Sequence, residues 1–374
     1  MGFIHSIMNT IKNYKTYVVA GFSVTIFMIA ALSLRHLLEE THLRDVLAAF
    51  KGTSPSAILA AVACTGASYL ALTGYDLLAL RHISRPQPYG TVALASFAGS
   101  AVGNNIGAAL LTGGSVRYRI YSAVGLSPTD AVQVTAFCAM TFGMSVTAML
   151  GVTLLAEPGL AGLADGFPLE LNRAVGGVLL ATVLAYLIWV ALAPRTLKLG
   201  TWSVRAPSAR MTLLQILVGS ADIALAAATL YVFLPSGLDV HFLGFMGVFV
   251  IASTIGVLSH APGGVGVFEA VVLWSLPDVD HAAVIGALLA YRATYYLAPL
   301  GLAAFLLAWH EFHQQHKAQT AVVRRTRRLV HLIAPQVIGA AVLLGGAILL
   351  LSGATPAMSP RVELLRDLVP LPFV

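Results

Sequence analysis

Residues 103–130 read GNNIGAALLTGGSVRYRIYSAVGLSPTD, and the reading of this stretch decides the fold. Upstream, residues 90–112 are almost free of charge and rich in Ala, Gly and Ser, the composition of a close-packed membrane helix. Gly113 and Gly114 then interrupt the run, and Arg117 and Arg119 follow at once. An Arg at the centre of an isolated membrane helix costs about 2.5–3.5 kcal/mol on insertion scales, so such groups persist only where protein or water surrounds them. A helix broken at the glycine pair, with its next segment opening on Ser115, offers free backbone N–H groups, a positive dipole end and two guanidinium forks. The expectation is an anion site inside a membrane, made by Gly113, Gly114, Ser115, Arg117 and Arg119.

The rest of the chain supplies that membrane. Of 374 residues, 58% are hydrophobic and only 10% charged, well below the roughly 25% charged of soluble domains. The net charge of +6 follows from arginine-rich loops; no basic run is interleaved with aromatics, which argues against nucleic acid as a partner. Cys64 and Cys138 sit in apolar segments without metal or disulfide spacing and read as packing residues. Residues 17–34 are long enough to span and carry no convincing cleavage site, so they read as an uncleaved first helix.

Apolar runs of spanning length lie at about 15–35, 56–80, 131–156, 172–194, 211–236, 282–309 and 335–353. Two further stretches, 90–128 and 241–276, are each split by a Gly pair. Lys12, Lys15, Arg81, Arg85, Arg195, Lys198, Arg205, Arg210, Lys317 and the cluster at 324–328 mark cytoplasmic loops and place the N-terminus in the cytoplasm. Glu157, Asp165 and Glu170, and later Asp239, Asp278 and Asp280, mark outer loops. Both sets are satisfied only if each split stretch enters the membrane and leaves on the side it came from. Irregular backbone at that depth is tolerated only inside protein or beside water. The predicted fold is an all-α polytopic membrane protein with about seven spanning helices and two re-entrant broken-helix hairpins.

Placing 113–130 over 263–280 aligns the glycine pairs Gly113–Gly114 and Gly263–Gly264, sets Arg119 on Glu269 and Asp130 on Asp280. A helix with an acidic residue precedes each hairpin, carrying Asp76 in one case and Asp222 in the other. The two units begin on opposite sides, so 56–156 and 211–309 read as an inverted repeat within a single membrane domain spanning 1–374. Transporters built that way bind substrate near the midplane, at their broken helices.

The motifs SYLALTGYDLLALR (68–81), GNNIGAALLTGGSVRYRIYSAVGLS (103–127), SADIALAAATLYVFLP (220–235) and SHAPGGVGVFEAVVL (259–273) together resemble the flippase region of the bacterial lysylphosphatidylglycerol synthetase and flippase proteins, the multiple peptide resistance factors. The resemblance runs across most of the chain. It implies a domain of the bacterial cytoplasmic membrane that moves aminoacylated phosphatidylglycerol to the outer leaflet, lowers negative surface charge and blunts cationic antimicrobial peptides. Larger family members continue into a synthase domain that takes an amino acid from aminoacyl-tRNA; the sequence ends at LRDLVPLPFV, so no transferase activity is expected from these residues. A synthase domain or protein as partner, and a homodimer, are left open.

The expected site divides labour by sign. Arg117 and Arg119 take the lipid phosphate; Asp76, Asp222 and Glu269 suit the ammonium groups of a lysyl headgroup; Gly263, Gly264, His260, Arg292 and Tyr295 form the hinge or cavity. The competing readings are arginines that snorkel to the headgroups from a shallow hairpin, and a structural ion pair between Glu269 and Arg119. No nucleophile, metal set or nucleotide loop accompanies these charges, so no catalytic residue, metal or cofactor is expected. An intramembrane headgroup enzyme and a non-transporting partner of a lysyltransferase are the alternatives.

Overall fold

The computed structural model describes residues 53–317, apart from 107–108, 160–167, 193–195, 200–201, 236–239, 260 and 277–278. The spans expected at 15–35 and 335–353, the cluster at 324–328 and His260 lie outside the described residues.

Helix α1, Pro55–His82, begins where Ser54 accepts a hydrogen bond from Ala57 N at 3.2 Å and Pro55 fills the first turn. Its 28 residues reach about 42 Å, more than the apolar thickness of a bilayer. Helices α2, Tyr89–Ile106, and α3, Ala109–Ser122, follow. Helix α4, Pro128–Ala156, starts at a capping box in which Ser127 and Asp130 satisfy each other's backbone N–H. Then come α5, Leu169–Leu192, a short antiparallel pair β1, Thr196–Leu199, and β2, Trp202–Arg205, and helix α6, Ala209–Tyr231.

The chain continues through α7, Phe242–Leu258, a 3-10 turn at Pro262–Gly264, and α8, Val267–Trp274. Helix α9, His281–Tyr291, passes through a π-helical turn, Arg292–Leu297, into α10, Ala298–Lys317. Five helical segments among the described residues are long and apolar enough to cross a membrane: α1, α4, α5, α6 and the run His281–Trp309. They coincide with five of the seven expected spans. The short β ribbon lies in the basic loop between α5 and α6.

Small residues let these helices approach. α1 packs along α6, and α2 along α3. A Cβ on Gly113 would fall 2.5 Å from the carbonyl oxygen of Gly99, and one on Gly114 would crowd Thr135. This corrects the sequence reading of the glycine pair. Gly113 and Gly114 do not break the chain; they lie inside α3, Ala109–Ser122. Glycine in a helix costs about 1 kcal/mol each, and close backbone contact offsets it. Ser115 Oγ bonds back to Leu111 O at 2.6 Å within the helix.

The second break lies where the glycines predict it. Gly263, Gly264 and Gly266 have φ of 61°, 64° and 82°, a region costly for residues with a Cβ. Gly264 also lies flush against Gly256 of α7. Neither α8, at eight residues, nor α3, at 14, spans about 30 Å of hydrocarbon alone.

Candidate functional site

The second break meets the end of α2. A Cβ on Gly263 would lie 3.3 Å from the carbonyl oxygen of Asn105 and 3.4 Å from that of Asn104, at the end of α2. The Asn105 side-chain amide donates to Ala101 O at 2.7 Å and to Tyr296 O at 3.1 Å. The end of α2 is thus pinned to the π-turn that follows the second break. Three polar clusters are buried around this junction.

Asp76 and Arg117 form the first. Asp76 is fully buried and Arg117 is 6% exposed. Arg117 Nε donates to both carboxylate oxygens at 3.0 and 3.2 Å, and Nη2 donates to Oδ2 at 3.1 Å and to Ser100 Oγ at 3.1 Å. Tyr121 OH adds a bond to Oδ1 at 2.8 Å, and Cys138 Sγ lies 3.7 Å from Oδ2. The arginine reaches this position across Gly99, where a Cβ would lie 3.0 Å from Arg117 Cγ. Two residues assigned opposite ligand roles on charge alone are each other's partner. Arg119, two positions on, is exposed on α3.

Glu269 and Arg292 form the second. Arg292 Nε donates to Glu269 Oε1 at 2.6 Å and Nη1 to Gly263 O at 2.6 Å; Glu269 Oε2 accepts from Gly266 N at 2.8 Å. The guanidinium lies 4.4 Å from the Tyr296 ring centroid and 5.5 Å from that of Phe268, within cation–π range. The arginine that the structure sets against Glu269 is Arg292, where the sequence reading had offered Arg119. Arg292 Nη2 is buried and has no hydrogen-bond partner among the described residues. A buried guanidinium donor normally has an acceptor, so the position calls for one.

Asp222 forms the third, 6% exposed in the middle of α6. Ser68 Oγ donates to Oδ1 at 2.5 Å and Tyr75 OH to Oδ2 at 3.1 Å. Ser68 Oγ also bonds Tyr295 OH at 2.9 Å, and Tyr69 OH donates to Tyr295 O at 3.3 Å. Tyr291 and Tyr295 stack at 5.3 Å. Asp222 has no cationic partner among the described residues.

One helix face explains the arrangement. On α1, Ser68 and Tyr75 are two turns apart and point to α6, while Asp76, rotated by about 100° from its neighbour, points to α3. Sequence reading found the charged residues but passed over Ser68, Tyr75, Ser100, Tyr121 and the contact of Cys138. The seven-residue spacing of Ser68 and Tyr75 was their one available signal.

Comparison with known proteins follows the same boundaries. Residues 18–303 match the model of the lysylphosphatidylglycerol synthase TM region. The chain is 32% identical over 299 residues to the uncharacterized protein slr0712 of Synechocystis sp., covering 80% of this chain and 93% of that protein. It is 33% identical over 258 residues to the inner membrane protein YbhN of Escherichia coli, covering 66% and 78%. Against a phosphatidylglycerol lysyltransferase of Staphylococcus xylosus the identity is 25% over 305 residues; 79% of this chain is covered but only 34% of that protein.

Proposed function

The chain belongs to the family of the lysylphosphatidylglycerol synthase TM region, and on that premise we propose that it is a lipid flippase. Its substrate is aminoacylated phosphatidylglycerol, moved from the inner to the outer leaflet of a bacterial inner membrane, with reduced surface charge and resistance to cationic peptides as the consequence. In this reading α2–α3 and α7–α8 are re-entrant hairpins from opposite sides, and 56–156 and 211–309 are inverted repeats. The repeated order of a long helix, a broken pair and a second long helix supports it.

The observation that carries the proposal is Arg292 Nη2, a buried donor without an acceptor among the described residues, beside the second break where it meets the end of α2. A phosphate oxygen completes it by a charge-assisted hydrogen bond. Asp222 and Glu269 then face the ammonium groups. Arg119, exposed on α3, meets the lipid phosphate as the headgroup enters, while the Asp76–Arg117 pair holds α1 to α3. Gly263 and Gly264 give the second hairpin its turn and Tyr295 lines the passage. A mixed-sign pocket of this kind suits a headgroup with two positive charges and one phosphate.

Reconstitution into liposomes with labelled lysylphosphatidylglycerol and phosphatidylglycerol tests this directly. Protein-dependent leaflet exchange of the lysyl lipid, lost in Arg292→Ala, is the expected result. Exchange no faster than in protein-free vesicles refutes the assignment.

A further inference from the structure

Among the described residues two carboxylates, Asp76 and Asp222, are buried in this region and a third, Glu269, is partly buried, and two of the three have an arginine. Asp76 has Arg117 and Glu269 has Arg292. Asp222 has only hydroxyl groups. A carboxylate taken out of water and left without a counter-charge is strongly disfavoured in its ionised form. The smallest ligand that removes the charge is a proton.

We propose that Asp222, with Ser68, Tyr75 and Tyr295, is a proton-binding site that exchanges one inward-moving proton for each lipid moved outward. This rests on the flippase reading and supplies its energy source.

The shell fits both states of the carboxyl. Ser68 Oγ and Tyr75 OH each donate to one oxygen of the ionised form. A hydroxyl can rotate to accept instead, so the same groups satisfy the protonated acid. The titratable side chains facing Asp222 are Tyr69 and Tyr75 from α1 and Tyr295 from the π-turn. Helix α4 brings Cys138 to the far side of Tyr75, against Asp76. No charged group other than Asp222 joins this set among the described residues.

The site is linked to the turn that holds the second break. Ser68 Oγ bridges Asp222 Oδ1 and Tyr295 OH. Tyr295 lies in the π-helical turn whose first residue, Arg292, holds Glu269 and the Gly263 carbonyl. Single π turns inside α-helices are rare and occur frequently at functional sites. When Asp222 takes a proton, Ser68 exchanges its donor role, the bond to Tyr295 reorganises, and the turn that grips the second break responds.

The exchange also answers an electrical problem. Lysylphosphatidylglycerol carries net positive charge, and an inside-negative potential opposes its outward movement. A proton carried inward on the return step cancels the charge moved. Because proton and ammonium compete for the same carboxylate, the site empties of one before it takes the other.

The test uses the full chain in nanodiscs and in liposomes. In nanodiscs, infrared difference spectra should show a protonated carboxyl band at neutral pH that disappears in Asp222→Asn. Adding lysylphosphatidylglycerol should erase that band and release a proton to a dye in weak buffer. Absence of the band overturns the proton site whether or not lipid binds. In liposomes, an inward proton gradient should speed outward movement of the lysyl lipid several-fold, and Asp222→Asn should lose that response. Exchange that is equal with and without the gradient, or that follows a sodium gradient at constant pH, overturns the coupling and leaves the flippase reading intact. A normal carboxyl band with no lipid exchange under any condition sinks the flippase reading and the coupling with it. Tyr295→Phe, which keeps the ring packing, should retain the carboxyl band but weaken the gradient response; an undiminished response overturns the link through the turn.

Discussion

Asp76 and Arg117 stand 41 residues apart in sequence and join side to side at 3.0 Å, with the carboxylate fully buried and the guanidinium nearly so. The pair connects α1 to α3 and is completed by Ser100 and Tyr121. Its partners match each other before any ligand arrives, which makes it a fastening between a spanning helix and a broken one.

Removing one partner leaves the other charged and buried. Arg117→Met should therefore lower stability by about 3–5 kcal/mol, and Asp76→Leu by a similar amount, whereas the double variant should recover much of the loss. Thermal unfolding of the four proteins in detergent measures the coupling. Additive losses would mean that the two side chains do not depend on each other.

The position of Gly113 inside α3 makes a distinct demand. Gly113→Ala should drive the new Cβ into the Gly99 carbonyl and cost about 1–3 kcal/mol by overpacking. Gly66→Ala, in α1 with no atom within 4 Å of the new methyl, should be neutral or stabilise by about 0.5–1 kcal/mol. Equal tolerance at both sites would return Gly113 to a loop.

Gly263 combines a φ of 61° with contact against the end of α2. Gly263→Ala should cost about 1–2 kcal/mol in backbone strain and reduce lipid exchange more than that loss of stability explains, because the contact of the second break with the end of α2 is displaced. Lipid exchange in liposomes, normalised to folded protein, checks it.

Arg292 and Lys are not equivalent at this position. Arg292→Lys keeps the charge but cannot hold Glu269 and the Gly263 carbonyl together while presenting a third donor. Exchange of the lysyl lipid should fall at least as far as in Glu269→Gln. Wild-type rates in Arg292→Lys would show that charge alone matters.

Topology is open to thiol labelling in a chain freed of Cys64 and Cys138. Cysteines at Ser84 and Gly125, flanking the first hairpin, should react from the cytoplasmic side. Cysteines at Val240 and Asp280, flanking the second, should react from the outside. Opposite-side labelling within either pair would turn that hairpin into a complete crossing.

Composition and loop charge were enough to establish a polytopic helical membrane protein, because an apolar run of spanning length and the absence of charge are local properties of the chain. Five spans and the break at Gly263–Gly264 were legible for that reason, as was the short list of buried charges. The helical place of Gly113–Gly114 was not, since a glycine pair signals either a turn or a close helix contact, and only the carbonyl of Gly99 lying opposite Gly113 decides between them. Pairing was likewise beyond the sequence. Asp76, Arg117, Glu269 and Arg292 are two acids and two bases with no local rule to match them, and which acid meets which base is set by how α1, α3, α8 and the π-turn pack. That packing left Asp222 among hydroxyls without an arginine.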